Sequence, residues 1–67
     1  MTIRLMHGRK VEAEGDTPAE AFIVYKITNP THLLYPTDDG GGVHVRIPDA
    51  DGEYGKVIEL TYTEKDA

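Results

Sequence analysis

His7, His32 and His44 are the only imidazoles in the chain, and they are the first residues to weigh for chemistry. Three histidines can bind zinc, but structural zinc sites draw ligands from closely spaced pairs. Here the intervals are 25 and 12 residues. His7 falls in an expected hairpin loop and His44 on an outward strand face, so all three read as surface histidines. With no serine and no cysteine in the chain, the commonest nucleophiles are missing. No threonine or lysine is marked out to replace them. The carboxylates are too numerous for any one pair to stand out.

Two loops invite a ligand reading. Asp49-Ala50-Asp51-Gly52-Glu53 has the composition of a calcium loop. A calcium-binding helix-loop-helix, however, needs Gly at its sixth position and Glu at its twelfth. Counted from Asp49, those positions hold Tyr54 and Leu60, and the flanks read as strands. Asp and Gly are then turn formers. Gly40-Gly41-Gly42 lacks the Lys and Ser/Thr that follow a phosphate loop, and Asp38-Asp39 before it repel phosphate. It reads as a flexible connector. No metal and no cofactor is expected. A β domain of 67 residues also has little room for the cavity of at least ~300 Å³ that substrates need. The expectation is a protein that is not an enzyme.

The composition sets wider bounds. Twelve acids against 7 bases give a net charge of −5, and the bases are scattered, so nucleic acid is an unfavoured partner. The apolar content of 39% is compatible with a real core. The absence of cysteine fits a reducing compartment. No apolar run approaches the ~20 residues of a membrane span, and the N-terminus lacks the apolar stretch of a signal peptide. These features point to a cytoplasmic protein, or to part of a larger assembly such as a virion.

The elements that position these residues follow from local pattern. Residues 2–6 and 10–14 alternate with period two, as half-buried strands do. A three-residue loop, His7-Gly8-Arg9, pairs Leu5 with Val11, Ile3 with Ala13 and Arg4 with Glu12. Apolar then meets apolar on one face and opposite charges meet on the other. A two-residue loop mixes the faces and is disfavoured on that ground. Thr17, Pro18 and Glu20 form a helix-starting capping box. Residues 22–28, Phe-Ile-Val-Tyr-Lys-Ile-Thr, are almost all β-branched or aromatic. The favoured reading is one helical turn over 17–21 and a strand over 22–28. The rival is a full helix over 18–28, closed by Asn29 and Pro30. Short strands follow at 32–35, 43–47 and 56–63, with residues 64–67 as a frayed tail.

The expected fold is one domain over residues 1–67: mainly β, a small antiparallel barrel or sandwich of five to six short strands with one helical turn. Its core would hold Ile3, Leu5, Val11, Ile23, Tyr25, Ile27, Val45, Ile47, Ile58, Leu60 and Tyr62. In the alternative, an α+β fold with a helix at 18–28, the order of hairpin, capping box and further strands resembles that of β-grasp domains such as ubiquitin-like sulfur carriers. Those carriers end in a Gly-Gly tail that is adenylated. This chain ends in Glu64-Lys65-Asp66-Ala67, so the resemblance implies no carrier chemistry.

As a strand, residues 22–28 would be apolar on both faces, with Phe22 and Val24 on the second. Val57 is an apolar residue on an otherwise polar strand face, and Tyr54 lies at a loop tip. Phe22, Val24, Tyr54 and Val57 are the candidate binding residues, either buried in a rolled sheet or covered by a partner protein. The functional expectation is a protein-interaction module: a small accessory, inhibitor or decoration subunit, of the size of a phage-encoded chain, docking on a larger protein or assembly. The alternative is a small barrel binding single-stranded nucleic acid through Arg4, Arg46, Lys26 and nearby aromatics. The reading of the Asp49 loop as a plain turn has a direct check: millimolar calcium leaves the thermal midpoint unchanged, whereas a rise would reinstate a calcium site.

Overall fold

In the computed structural model the described residues, 1–65, form β1 (Thr2–His7), β2 (Lys10–Gly15), α1 (Pro18–Thr28), β3 (Leu33–Pro36), β4 (Gly42–Ile47) and β5 (Lys56–Lys65). The five strands make one antiparallel sheet in the order β2-β1-β5-β4-β3. The chain is therefore mainly β, with α1 packed on one face of the sheet. No ladder joins the end strands β2 and β3 among the described residues, so no barrel closure is found.

Residues 22–28 are helical, not extended, which corrects the favoured reading and upholds its rival. Two effects, one local and one tertiary, outweigh the β-branched composition. The first is the cap. The Glu20 N–H donates to Thr17 Oγ1 at 3.2 Å, and the Glu20 carboxylate accepts from the Asp16 N–H at 2.9 Å. Pro18 adds a φ already suited to the first turn. The second is burial at helical spacing. Ala21 and Tyr25, four apart, are almost wholly buried, and Phe22 packs beside them. Helix propensity differences are only ~0.5 kcal/mol per residue, so one buried tyrosine offsets several poor formers. At the other end the Asn29 N–H and side-chain amide both donate to the Tyr25 carbonyl. Pro30 follows, and the helix stops.

The first hairpin also differs from expectation. Its loop is the two-residue Gly8-Arg9, with His7 opposite Lys10 and Met6 opposite Val11. The pairing then slips, and Leu5 faces Ala13, Arg4 faces Glu14 and Ile3 faces Gly15. Glu12 is the extra residue of a β-bulge, which restores the in–out alternation that an unbulged two-residue loop would spoil. Gly8, at φ 62°, takes the left-handed position that such a turn needs at its first residue. The ion pair of Arg4 is consequently with Glu14, at 3.3 Å from Nε, rather than with Glu12.

The core lies between α1 and the covered face of the sheet. It comprises Leu5, Ala13, Ala21, Tyr25, Val43, Val45 and Leu60, with Ile3 buried at the edge. Phe22, Leu34, Ile47, Ile58 and Tyr62 pack around it. Val11, Ile23 and Ile27 were expected inside and are exposed. The bulge turns Val11 away, and the helical period turns the two isoleucines outward. Glu64 and Lys65 are not frayed: they pair with Ile3 and Thr2 in β5. The remainder of the expected tail, Asp66 and Ala67, lies outside the described residues.

The three glycines are not a loose connector either. Thr37 donates its N–H to the Gly42 carbonyl, closing a turn between β3 and β4, and the Asp39 carboxylate accepts from the Gly41 N–H and the Thr37 hydroxyl. Gly42 is buried against β5, where a side chain would run into the Leu60 carbonyl. Gly42→Ala is therefore expected to cost about 3 kcal/mol in urea unfolding. Gly55→Ala, which meets nothing within 4 Å, is the near-neutral control. Equal midpoints for the two variants would contradict this close approach of β4 to β5.

Candidate functional site

Packing one helix on a five-stranded sheet leaves two surfaces uncovered: the outer side of α1 and the far face of the sheet. The outer side of α1 carries Ile23, Val24 and Ile27, which are 54%, 39% and 72% exposed. Positions 23 and 27 are one helical turn apart and stack into a ridge. On the far face of the sheet, alternation brings up Leu33 and Tyr35 from β3, His44 and Arg46 from β4, and Val57 and Glu59 from β5. Leu33, Arg46 and Val57 form one cross-strand row, and Tyr35, His44 and Glu59 form the next. His44 Nε2 lies 3.1 Å from Glu59 Oε2. Arg46 has no ion-pair partner among the described residues.

Tyr35, His44, Arg46 and Val57 line a shallow, open groove of about 530 Å³. A second open groove of about 580 Å³ adjoins it, walled by Asp38, Asp39, Glu59 and Thr61 among others. Neither is an enclosed cavity. Among the described residues no cluster of three His, Asp or Glu is arranged to hold a metal ion. No helix there is long and apolar enough to cross a membrane.

The four candidate residues read from the sequence are not brought together. Phe22 faces inward and packs on the core. Val24 lies on the outer side of α1, and Val57, 55% exposed, lies on the far face of the sheet. Tyr54 is half-buried, and its hydroxyl donates to the Thr31 carbonyl at 3.0 Å, tying the β4–β5 loop to the turn after α1. Arg4 and Arg46 share the open sheet face, but Lys26 stands on the helix, on the other side of the sheet. Ile23 and Ile27, the most exposed members of the ridge, were assigned to the core by the strand reading. Only the helical period reveals them.

The sheet edges are poor docking strands. The Thr37–Gly42 hydrogen bond sets the ladder so that Leu33 and Tyr35 direct their backbone groups to β4, while Leu34 and Pro36 direct theirs outward. Pro36 has no N–H, so the Leu34 N–H is the single outward donor of β3. On the other side β2 is interrupted by its bulge and carries Lys10 and Glu12, paired at 3.3 Å. Bulges, prolines and charges are the usual protection of an edge against strand addition.

No protein-family model, no curated protein and no solved structure matches this chain.

One buried phenol, one half-buried phenol and one exposed carboxylate give the fold a pH signature. Burial raises the pKa of Tyr25 and Tyr62 above the ordinary 10.0, and the nearby Glu12 charge adds to the rise at Tyr25. The Tyr25 hydroxyl also lies 2.9 Å from His32 Nδ1. A raised phenol contributes stability that is complete below the unfolded value and is lost as pH climbs through the folded one. Asp39 has the opposite sign. The Gly41 N–H first, and the Thr37 hydroxyl second, lower it from 3.8, so its contribution is present above that value and vanishes as pH falls through the depressed one. Tyr62→Phe is expected to flatten the loss of thermal midpoint above pH 10, and Asp39→Asn to flatten the loss below pH 4. Unchanged limbs in both variants would remove these groups from the titration.

Proposed function

We propose that the protein is a non-enzymatic interaction module, a small accessory, inhibitor or decoration subunit that docks on a larger protein or assembly. The observation that carries this reading is the outer ridge of α1. Ile23, Val24 and Ile27 are β-branched, so they weaken a helix, and being apolar and exposed they gain nothing from water. Alanine, glutamate or lysine would serve the isolated fold better at all three positions. A partner with an apolar groove that receives the ridge accounts for residues that the monomer does not need. The docking partner reads the helix face rather than a strand edge, because both edges are blunted.

The test separates docking from folding. In the double variant I23E/I27K both positions gain helix propensity, and Glu and Lys four apart add an attractive pair of ~0.3 kcal/mol. The thermal midpoint is expected to hold or rise slightly. A tagged pull-down from nuclease-treated native extract is expected to recover one stoichiometric protein with the wild type and to lose it with the variant. Retention of that protein by the variant would exclude the ridge as the docking face. A fall in midpoint of several degrees would show instead that the ridge belongs to the core.

A further inference from the structure

The far face of the sheet is a second surface, on the opposite side from the α1 ridge, and its charge pattern matches itself. Arg46 and Glu59 stand on adjacent strands, one row apart, and so occupy one diagonal of a four-residue block. His44 and Val57 occupy the other diagonal. We infer that this face binds a second copy of the chain, the two sheets packing face to face about a twofold axis that runs between Arg46 and Glu59. Such an axis, lying in the interface, carries Arg46 of each copy over Glu59 of its partner, so two ion pairs form per dimer. Val57 then meets its own symmetry mate. Tyr35 and Leu33, 50% and 39% exposed, flank the contact as apolar cover.

Two further observations favour a copy over another occupant. The chain is acidic overall, but this face is near balance: its strand positions hold Arg4, Arg46 and Lys65 against Glu14 and Glu59, with Asp38 and Asp39 in the loop beside them. Apposing two such faces therefore does not bring the net charge of −5 onto itself. A nucleic acid would need more than one unpaired arginine here, and Glu59 with Asp38 and Asp39 stands beside it. The extent of the face is also adequate for a reversible dimer. Five strands at ~4.8 Å spacing and about six residues long give roughly 20 Å by 20 Å per copy. Together the copies bring ~800 Å² of face into contact, the extent of a weak, transient association.

The experiment is a charge exchange, read by sedimentation velocity and light scattering at pH 8 over a range up to about 1 mM protein, where even a weak dimer is populated. Wild type is expected to move from monomer to dimer with concentration. R46E and E59R, each with an unchanged thermal midpoint because both residues are exposed, are each expected to weaken dimerisation at least tenfold. Two recoveries then complete the case. The double variant R46E/E59R dimerises again, and an equimolar mixture of the two single variants forms a heterodimer, because every apposed pair is once more opposite in charge. Wild type that stays monomeric throughout overturns the inference. So do single variants that dimerise as well as wild type, or a mixture that does not associate. Dimerisation lost in I23E/I27K but kept in R46E would place the contact on α1, and binding of a labelled single-stranded oligonucleotide by monomeric wild type but not by R46E would assign the face to nucleic acid. Both outcomes overturn it; the first would make a second copy the occupant of the α1 ridge, and the second leaves the α1 reading untouched.

Discussion

Leu60 is fully buried at the centre of β5, and β5 is the strand on which the two halves of the sheet meet. The hairpins β1–β2 and β3–β4 are each local in sequence, yet neither touches the other as a ladder. β5 comes last in the chain and enters between β1 and β4, with Leu60 opposite Val43 on one side and Tyr62 opposite Leu5 on the other. Gly42 makes the fit possible, since its missing side chain lets β4 lie directly against the Leu60 carbonyl. Remove that approach and the sheet divides into two hairpins, each too small to be stable alone. The helix depends on the same assembly. Tyr25 and Ala21 have a surface to bury against only once β1, β2 and β5 present Leu5, Ala13 and Leu60 together.

This dependence explains what was legible in the sequence. Every strand except the spurious one at 22–28 was read within a few residues, because period-two alternation is local and survives any tertiary arrangement. The inward positions Leu5, Val45 and Leu60 came with it. The helix was misread because its evidence was split. Thr17, Pro18 and Glu20 argued for a start, while Phe22 to Thr28 argued by propensity for a strand, and the deciding term, burial of Ala21 and Tyr25 beneath one another, is not a property of the segment alone. The hairpin register failed for a related reason. A bulge at Glu12 satisfies alternation on both sides of itself, but no residue type announces it, so the unbulged register looked better than the true one.

The candidate site was less legible than the fold. Outward positions such as His44, Arg46 and Val57 follow from alternation, but which strands are neighbours does not, and the block formed by Arg46 and Glu59 exists only because β4 pairs with β5 in one register. By pattern Val24 belongs to the second apolar face of a strand, and the helix places it on the outer side of α1 instead. Tyr54 reads from its loop-tip position as an aromatic anchor, and only the fold shows its hydroxyl holding two loops together through Thr31.

A chain of this size cannot cover all of its own secondary structure. Surface grows relative to volume as a domain shrinks, and one short helix can shield one face of one sheet. The open face and the helix back are thus geometric consequences of the architecture, and a protein selected only for solubility would fill both with charge. Here the edges have been treated in that way: Pro36 removes an outward donor, and Lys10, Glu12 and a bulge break up β2. The faces have been treated so only in part. Ile23, Val24, Ile27, Leu33, Tyr35 and Val57 remain apolar and exposed in a molecule with 12 acids. Protection applied to the edges and in part withheld from the faces separates two kinds of association. Strand addition propagates without limit, because every added strand offers a new edge. Packing of faces is finite, because each face is used once. Under the docking reading proposed above, that distribution of charge and apolar surface suits closed, stoichiometric complexes and resists open-ended ones.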